Sequence, residues 1–116
     1  MATASTIARF LCQVTGGDTG DKLVNVAWTI ATPLNLTERP TLTQGANNTV
    51  TVPSGATLCV ISPPTDNTQV VTLKGVAGDT GYAIDANTPT IIATSGSSFV
   101  INLAAGSNQI FELNWL

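Results

Sequence analysis

The sequence predicts an all-β fold in which antiparallel strands pack as two sheets or close into a barrel. Three observations carry this. Short runs rich in Val, Ile and Thr recur along all 116 residues, and such side chains suit a pleated, half-buried surface. Clusters of Gly, Pro, Asn and Asp bound those runs, which is how strands and turns are punctuated. No segment carries the apolar period of an amphipathic helix.

Taken in order, the strands are expected at 7–14 (IARFLCQV), 23–31 (LVNVAWTIA), 48–52 (NTVTV), 56–62 (ATLCVIS) and 69–75 (QVVTLKG). Four more follow at 82–84 (YAI), 90–94 (TIIAT), 98–103 (SFVINL) and 109–115 (QIFELNW). Nine strands exceed the roughly four to six of a common single sheet, so two packed layers or a closed barrel follow. Segment 32–47 (TPLNLTERPTLTQGAN) holds Pro33 and Pro40 and has no clean period. It reads as an irregular N-terminal arm or crossover, a kind of long connection that often forms contact surfaces. By length the chain is one domain, 1–116, with N-terminal strands and the irregular segment in 1–48 and the sandwich core in 49–116.

Alternation assigns faces. Val24, Val26 and Trp28 share one face of their strand. Phe99, Ile101 and Leu103 share another, opposite Asn102, and Phe111, Leu113 and Trp115 share a third, opposite Glu112 and Asn114. These rows are expected in the core, where aromatic rings contribute the largest buried areas. The last strand is hydrophobic to Trp115–Leu116. Such an end frays unless docked, so this strand is expected at the centre of a sheet or against a neighbouring subunit.

Turn chemistry punctuates the strands. Pro53-Ser54-Gly55 fits a turn in which Gly takes positive φ. Pro63 and Pro64 lack ladder donors, so Pro63–Asn67 is expected to end a strand and form an exposed loop. Gly96-Ser97 and Ala105–Asn108 read as hairpin links.

Composition excludes several functions. Charged residues are 9% of the chain, against about 25% in an average soluble protein. Apolar runs stay far below the roughly 18 residues of a spanning helix, so no membrane segment is expected. A weakly charged surface suits a subunit of an assembly, because interface cores are depleted of charge. The four basic residues, Arg9, Lys22, Arg39 and Lys74, are scattered. Nucleic-acid binding needs a basic stripe, so none is expected. There is no His, which removes the commonest general base and zinc ligand. Met1–Thr6 has no basic start followed by an apolar stretch, so no signal peptide is expected. Cys12 and Cys59 each lie in an apolar strand-like run and read as buried thiols, with a cross-strand disulfide as the alternative. The sequons at Asn35 and Asn47 are expected by chance in a chain rich in Asn and Thr.

The sharpest chemical motif is Asp-Thr-Gly, which occurs at Asp18–Gly20 and at Asp79–Gly81. It spells an aspartic-protease nucleophile loop, in which two carboxylates share one proton. In that family apolar residues precede the Asp, whereas Gly17 and Gly78 stand there in this chain. Asp21 and Tyr82 follow the motif, where Ala or Ser is usual. Gly-Asp-x-Gly is also plain turn chemistry, with Asp bonding its own backbone. Asp18 with Asp21, and Asp79 with Asp85, supply too few carboxylates for a calcium loop. Lys74 ends a strand before Gly75 and reads as a solvated edge charge. No catalytic, cofactor-binding or metal residue is therefore assigned, and the chain is expected not to be an enzyme.

The order of motifs is more specific than any one of them. V-P-S-G-A-T-L-C-V-I-S-P-P is followed by V-T-L-K-G-V-A-G-D-T-G and a closing F-E-L-N-W-L. Over about residues 50–116 this resembles small virion structural proteins of tailed bacteriophages. The resemblance implies a β-sandwich, often jelly-roll-like, that decorates or cements a capsid, commonly as a homotrimer. It implies the major capsid protein as partner, the virion's outer capsid surface as location, and no cofactor. The alternative is a phage tail or fibre module that binds a host-surface glycan, which needs Trp28, Tyr82 and Trp115 exposed together. An aspartic peptidase built on Asp18 or Asp79 is the remote third reading.

Overall fold

A computed structural model describes residues 6–14, 22–30 and 33–116, with β1 and β2 side chains described only for Arg9, Asn25–Ala27, Thr29 and Ile30. The described residues contain strands and no helix. They fall into two compact units, 1–33 and 34–116.

The first unit is a two-stranded antiparallel ribbon. β1 (Thr6–Val14) pairs along its whole length with β2 (Lys22–Ile30), from Thr6 opposite Ile30 to Val14 opposite Lys22. Val26, expected in a core row, is 51% exposed. Two strands make one layer, and a residue on a single layer is buried only where something covers it. The side chains of Val24 and Trp28 lie outside the described residues.

The second unit is a β-sandwich of two four-stranded antiparallel sheets. β3 (Leu36–Glu38) and β4 (Thr41–Leu42) pair with β12 (Glu112–Trp115) and β11 (Gln109–Ile110) in one unbroken register. They act as one strand facing another, with only Arg39 and Pro40 interrupting the first. Pro40 has no N–H to give the ladder, yet its carbonyl still accepts from Phe111 N (3.0 Å). The remaining strands are β5 (Ala46–Thr51), β6 (Leu58–Ser62), β7 (Val71–Lys74), β8 (Tyr82–Ile84), β9 (Thr90–Ala93) and β10 (Ser98–Leu103). One sheet runs β5-β10-β7-β8 and the other β3-β12-β6-β9.

Counting β3/β4 and β11/β12 once each gives eight strands in this unit, ordered 1-8-3-6 and 2-7-4-5. First pairs with last, second with seventh, third with sixth and fourth with fifth. That nesting is a long antiparallel ribbon folded over itself, the jelly roll. Segment 32–47 is therefore less irregular than expected. It contributes an edge strand and then crosses between sheets at Thr43–Gly45, where Gly45 takes φ +62. Within the sandwich, only β7–β8 joins two consecutive strands of one sheet. Gly96-Ser97 and Ala105–Asn108, expected as hairpin links, instead carry the chain from one sheet to the other. The same small polar residues serve both kinds of corner, so local sequence does not separate them.

The core lies between the sheets. Phe99, Ile101 and Leu103 from one meet Phe111, Leu113 and Trp115 from the other, with Leu42, Val50, Cys59, Ile61 and Val71 completing it. The Phe99 and Trp115 rings pack tilted, 6.2 Å between centroids. As expected, the last strand is central, flanked by β3 and β6. The Pro63–Asn67 loop is not wholly exposed: Pro63 is buried and Asn67 is 1% exposed. Asn67 Nδ2 donates to Ala86 O (2.7 Å) and Gln69 O (3.0 Å), and its Oδ1 accepts from Gln69 N (3.2 Å). Gln69 continues the network. Its Nε2 donates to Ala104 O (2.7 Å), and its Oε1 accepts from Ser107 N (3.0 Å) and Gln109 Nε2 (3.1 Å). A buried amide left without partners costs about 1–3 kcal/mol; here each is satisfied, and three loops at one end of the sandwich are tied together.

Candidate functional site

The residues that could carry chemistry are mostly committed to turns. At Val76–Asp79 the chain turns back, with Asp79 N donating to Val76 O (3.1 Å) and Val76 N donating to Asp79 Oδ2 (3.1 Å). Gly81 follows with φ +77, and a Cβ there would stand 2.6 Å from Leu73 O. This Gly-Asp-Thr-Gly is thus the corner of the β7–β8 hairpin, and the Asp79 carboxylate caps it. The matching Asp18–Gly20, and Asp21, lie outside the described residues. Asp85 Oδ1 accepts from Asn87 N (3.0 Å) and Thr88 N (3.0 Å). Those bonds, that of Asn87 first, hold its carboxyl below the usual Asp value. Asp79 and Asp85 each serve their own loop. Lys74 ends β7, half-buried.

Among the described residues, the sugar-platform candidates Tyr82 and Trp115 do not come together. Tyr82 is 76% exposed on edge strand β8, whereas Trp115 is fully buried. The Trp28 ring lies outside the described residues. Cys59 is a free, buried thiol, and the Cys12 side chain lies outside the described residues. Burial first, and then the negative charge of Glu38, push the Cys59 thiol up to about 12 from 9.0. A thiol so held is a poor nucleophile at neutral pH, because the thiolate is the reactive form.

That charge points to the most site-like feature of the sandwich. Along β3, Leu36 and Glu38 lie opposite Trp115 and Leu113, so they share the core-facing side of the sheet. Leu36 and Glu38 stay exposed because β3 is an edge strand. Trp115 Nε1 donates to Glu38 Oε1 (2.5 Å). The buried indole thereby satisfies its only polar atom and holds the carboxylate at the rim of the sandwich. The alternate residues face outward. There Arg39 Nη2 meets Glu112 Oε2 (3.4 Å), Asn114 Nδ2 donates to Glu112 Oε1 (3.0 Å), and Thr37 Oγ1 donates to Asn114 Oδ1 (2.7 Å). Arg39 is thus engaged on the opposite face from Glu38.

Beside Glu38 the sandwich opens sideways. β3/β4 is the edge of one sheet and β5 the edge of the other. Between them lies a cleft of about 450 Å3, with Leu42, Val50 and Leu113 on its floor and Glu38, Asn48 and Thr51 among its rim residues. Its far end is closed where the chain crosses sheets. There Asn48 Oδ1 accepts from Thr43 N (2.9 Å), and Asn48 Nδ2 donates to Thr43 O (3.1 Å) and Ile101 O (3.2 Å). Glu38 and this cleft were not singled out from sequence, because segment 32–47 lacks a long enough alternation. The short Leu36-Thr37-Glu38-Arg39 pattern, apolar or acidic against polar, was the available signal.

No protein-family model, curated protein or solved structure matches this chain.

Proposed function

We propose that this chain is a non-enzymatic structural protein of a tailed-bacteriophage virion, a decoration or cement protein that binds the outer capsid surface and stabilises it. The observation that carries the reading is where its distinctive motifs fall on the jelly roll. Pro63-Pro64 ends β6, Thr72–Gly75 ends β7, Gly78–Gly81 makes the β7–β8 corner, and Trp115 fills the core. Each motif builds the shape of the sandwich rather than a reacting centre. Jelly rolls serve repeatedly in viral capsids and in lectins. The capped Asp79 carboxylate speaks for a turn and against an aspartic peptidase. The separation of exposed Tyr82 from buried Trp115 removes one pair of rings from a sugar platform.

Adhesion is the mechanism. A homotrimer, with the major capsid protein as its partner, would bridge neighbouring subunits of the shell. Repetition over many sites gives avidity without any one strong contact. Light scattering on a sizing column should give three times the 11.9 kDa chain mass at micromolar concentration; a stable monomer there would count against a preformed trimer. A reconstruction of the intact particle should place an eight-stranded sandwich outside the shell. Failure to find the chain on the particle would sink the proposal.

A further inference from the structure

Among the described residues β5 is an open edge, and it differs from the other three edges of the sandwich. β3/β4 is interrupted by Pro40 and carries the Arg39–Glu112 ion pair. β8 has three residues, and β9 has four and starts after Pro89. β5 has six residues, Ala46–Thr51, with no charge and no proline. Natural sheets guard exposed edges by such devices, because an unguarded edge is a template for another strand.

The register says which groups are offered. Val52 N donates to Ser97 O (2.9 Å), and the β5–β10 pairing continues from there in step. In an antiparallel pair, hydrogen-bonded residues alternate. Residues 52, 50, 48 and 46 therefore bond inward to β10, whereas Asn47, Thr49 and Thr51 turn N–H and C=O toward the open side. These three residues are exposed. A strand added there would bond to them, and its side chains opposite Asn48 and Val50 would enter the cleft.

The cleft specifies what those side chains are. Its floor is apolar, and among the described residues Glu38 is the only charged one that lines it. The indole of Trp115 occupies Glu38 Oε1, and no described residue takes Oε2, which can accept from a cationic donor. Arg39 does not neutralise it, being paired with Glu112 on the other face.

We propose that the β5 edge is a docking site for an extended segment of a partner polypeptide, which adds antiparallel to Asn47–Thr51 and inserts a Lys or Arg side chain toward Glu38. Main-chain bonds give such strand addition its affinity, and the side-chain pocket gives it selectivity. Edge geometry and Glu38 alone carry this assignment, and it stands whether or not the chain coats a particle.

The test is selection of a displayed random heptapeptide library on the immobilised full chain, with binding then measured for synthetic copies of the enriched peptides. Two variants decide the outcome. Thr49→Pro deletes an outward N–H and spares the ladder to β10, since proline is tolerated on the open side of an edge strand. Glu38→Gln keeps an acceptor for Trp115 and removes the charge. Enriched peptides should share one Lys or Arg, should protect the amides of residues 47, 49 and 51 from hydrogen exchange, and should bind each variant about tenfold more weakly. Absence of enrichment, a consensus without a basic residue, or binding to either variant as tight as to the native chain overturns the proposal. So does protection of those three amides in the free chain, which would mean that a second copy or the chain's own ribbon already fills the edge. If Thr49→Pro fails to fold, Thr51→Pro makes the same deletion two residues along.

Discussion

At the scale of single residues, burial sets the chemistry of Cys59. Unfolded, its thiol ionises near the ordinary 9.0; folded, it keeps its proton up to about 12. Between those values the unfolded chain holds fewer protons than the native one. Stability from this group is therefore full below about pH 9 and falls as pH rises toward 12. Urea midpoints measured from about pH 8 to 11 should decline more steeply for the native sequence than for Cys59→Ala. The variant starts from a lower midpoint because it loses buried sulfur. Equal slopes would mean that the thiol is not shielded in solution. The contrast between legible and hidden residues is clear at this scale. Phe111, Leu113 and Trp115 follow from strict alternation in a long strand, and all three are buried. Asn67 and Glu38 did not show themselves. Polarity predicts exposure for both, and only partners brought from elsewhere in the chain, the β8–β9 loop for Asn67 and the last strand for Glu38, explain why one is buried and the other fixed at a rim.

At the scale of elements, the β7–β8 hairpin depends on Gly81. Its φ of +77 is unfavourable for any residue with a side chain, and a Cβ would stand 2.6 Å from Leu73 O and from Lys74 Cγ. Gly81→Ala should cost well over about 1 kcal/mol and lower Tm by at least about 4–8 °C. Gly78→Ala meets nothing within 4 Å at an ordinary φ, and should leave Tm unchanged or slightly raised. Thermal melts of the two variants side by side check this, and equal effects would remove the hairpin corner as the reason for the glycine. The strands themselves were legible. Expected strand 98–103 coincides with β10, and 109–115 spans β11 and β12. The pair β3/β4 was missed, because a short strand broken by Arg39-Pro40 shows neither length nor a clean period. Corners were legible as corners but not as types, since a hairpin and an arch between sheets use the same residues.

At the scale of the whole molecule, the jelly roll is complete within 34–116. All eight of its strands, and the cluster they enclose, belong to that unit. A fragment beginning at Leu34 should therefore fold alone, unfold cooperatively in urea, and keep the amide chemical shifts of β5–β12. A fragment that is molten or insoluble would show that the sandwich requires residues 1–33. The fragment also separates the two functional claims: it retains the β5 edge and Glu38, so strand docking should survive the deletion. By itself the sequence determined the all-β class, most strand positions, the core rows of 99–103 and 111–115, and that the last strand is docked. Those follow from alternation and from turn residues, which act over a few neighbours. Tertiary structure alone decided which strands share a sheet, that the Gly-Ser links arch between sheets, and that β5 is an open edge beside Glu38. These depend on pairing between residues up to about 80 positions apart, such as Trp115 with Leu36. Pairing at that range is chosen by the burial of both sheets together, which no local pattern records.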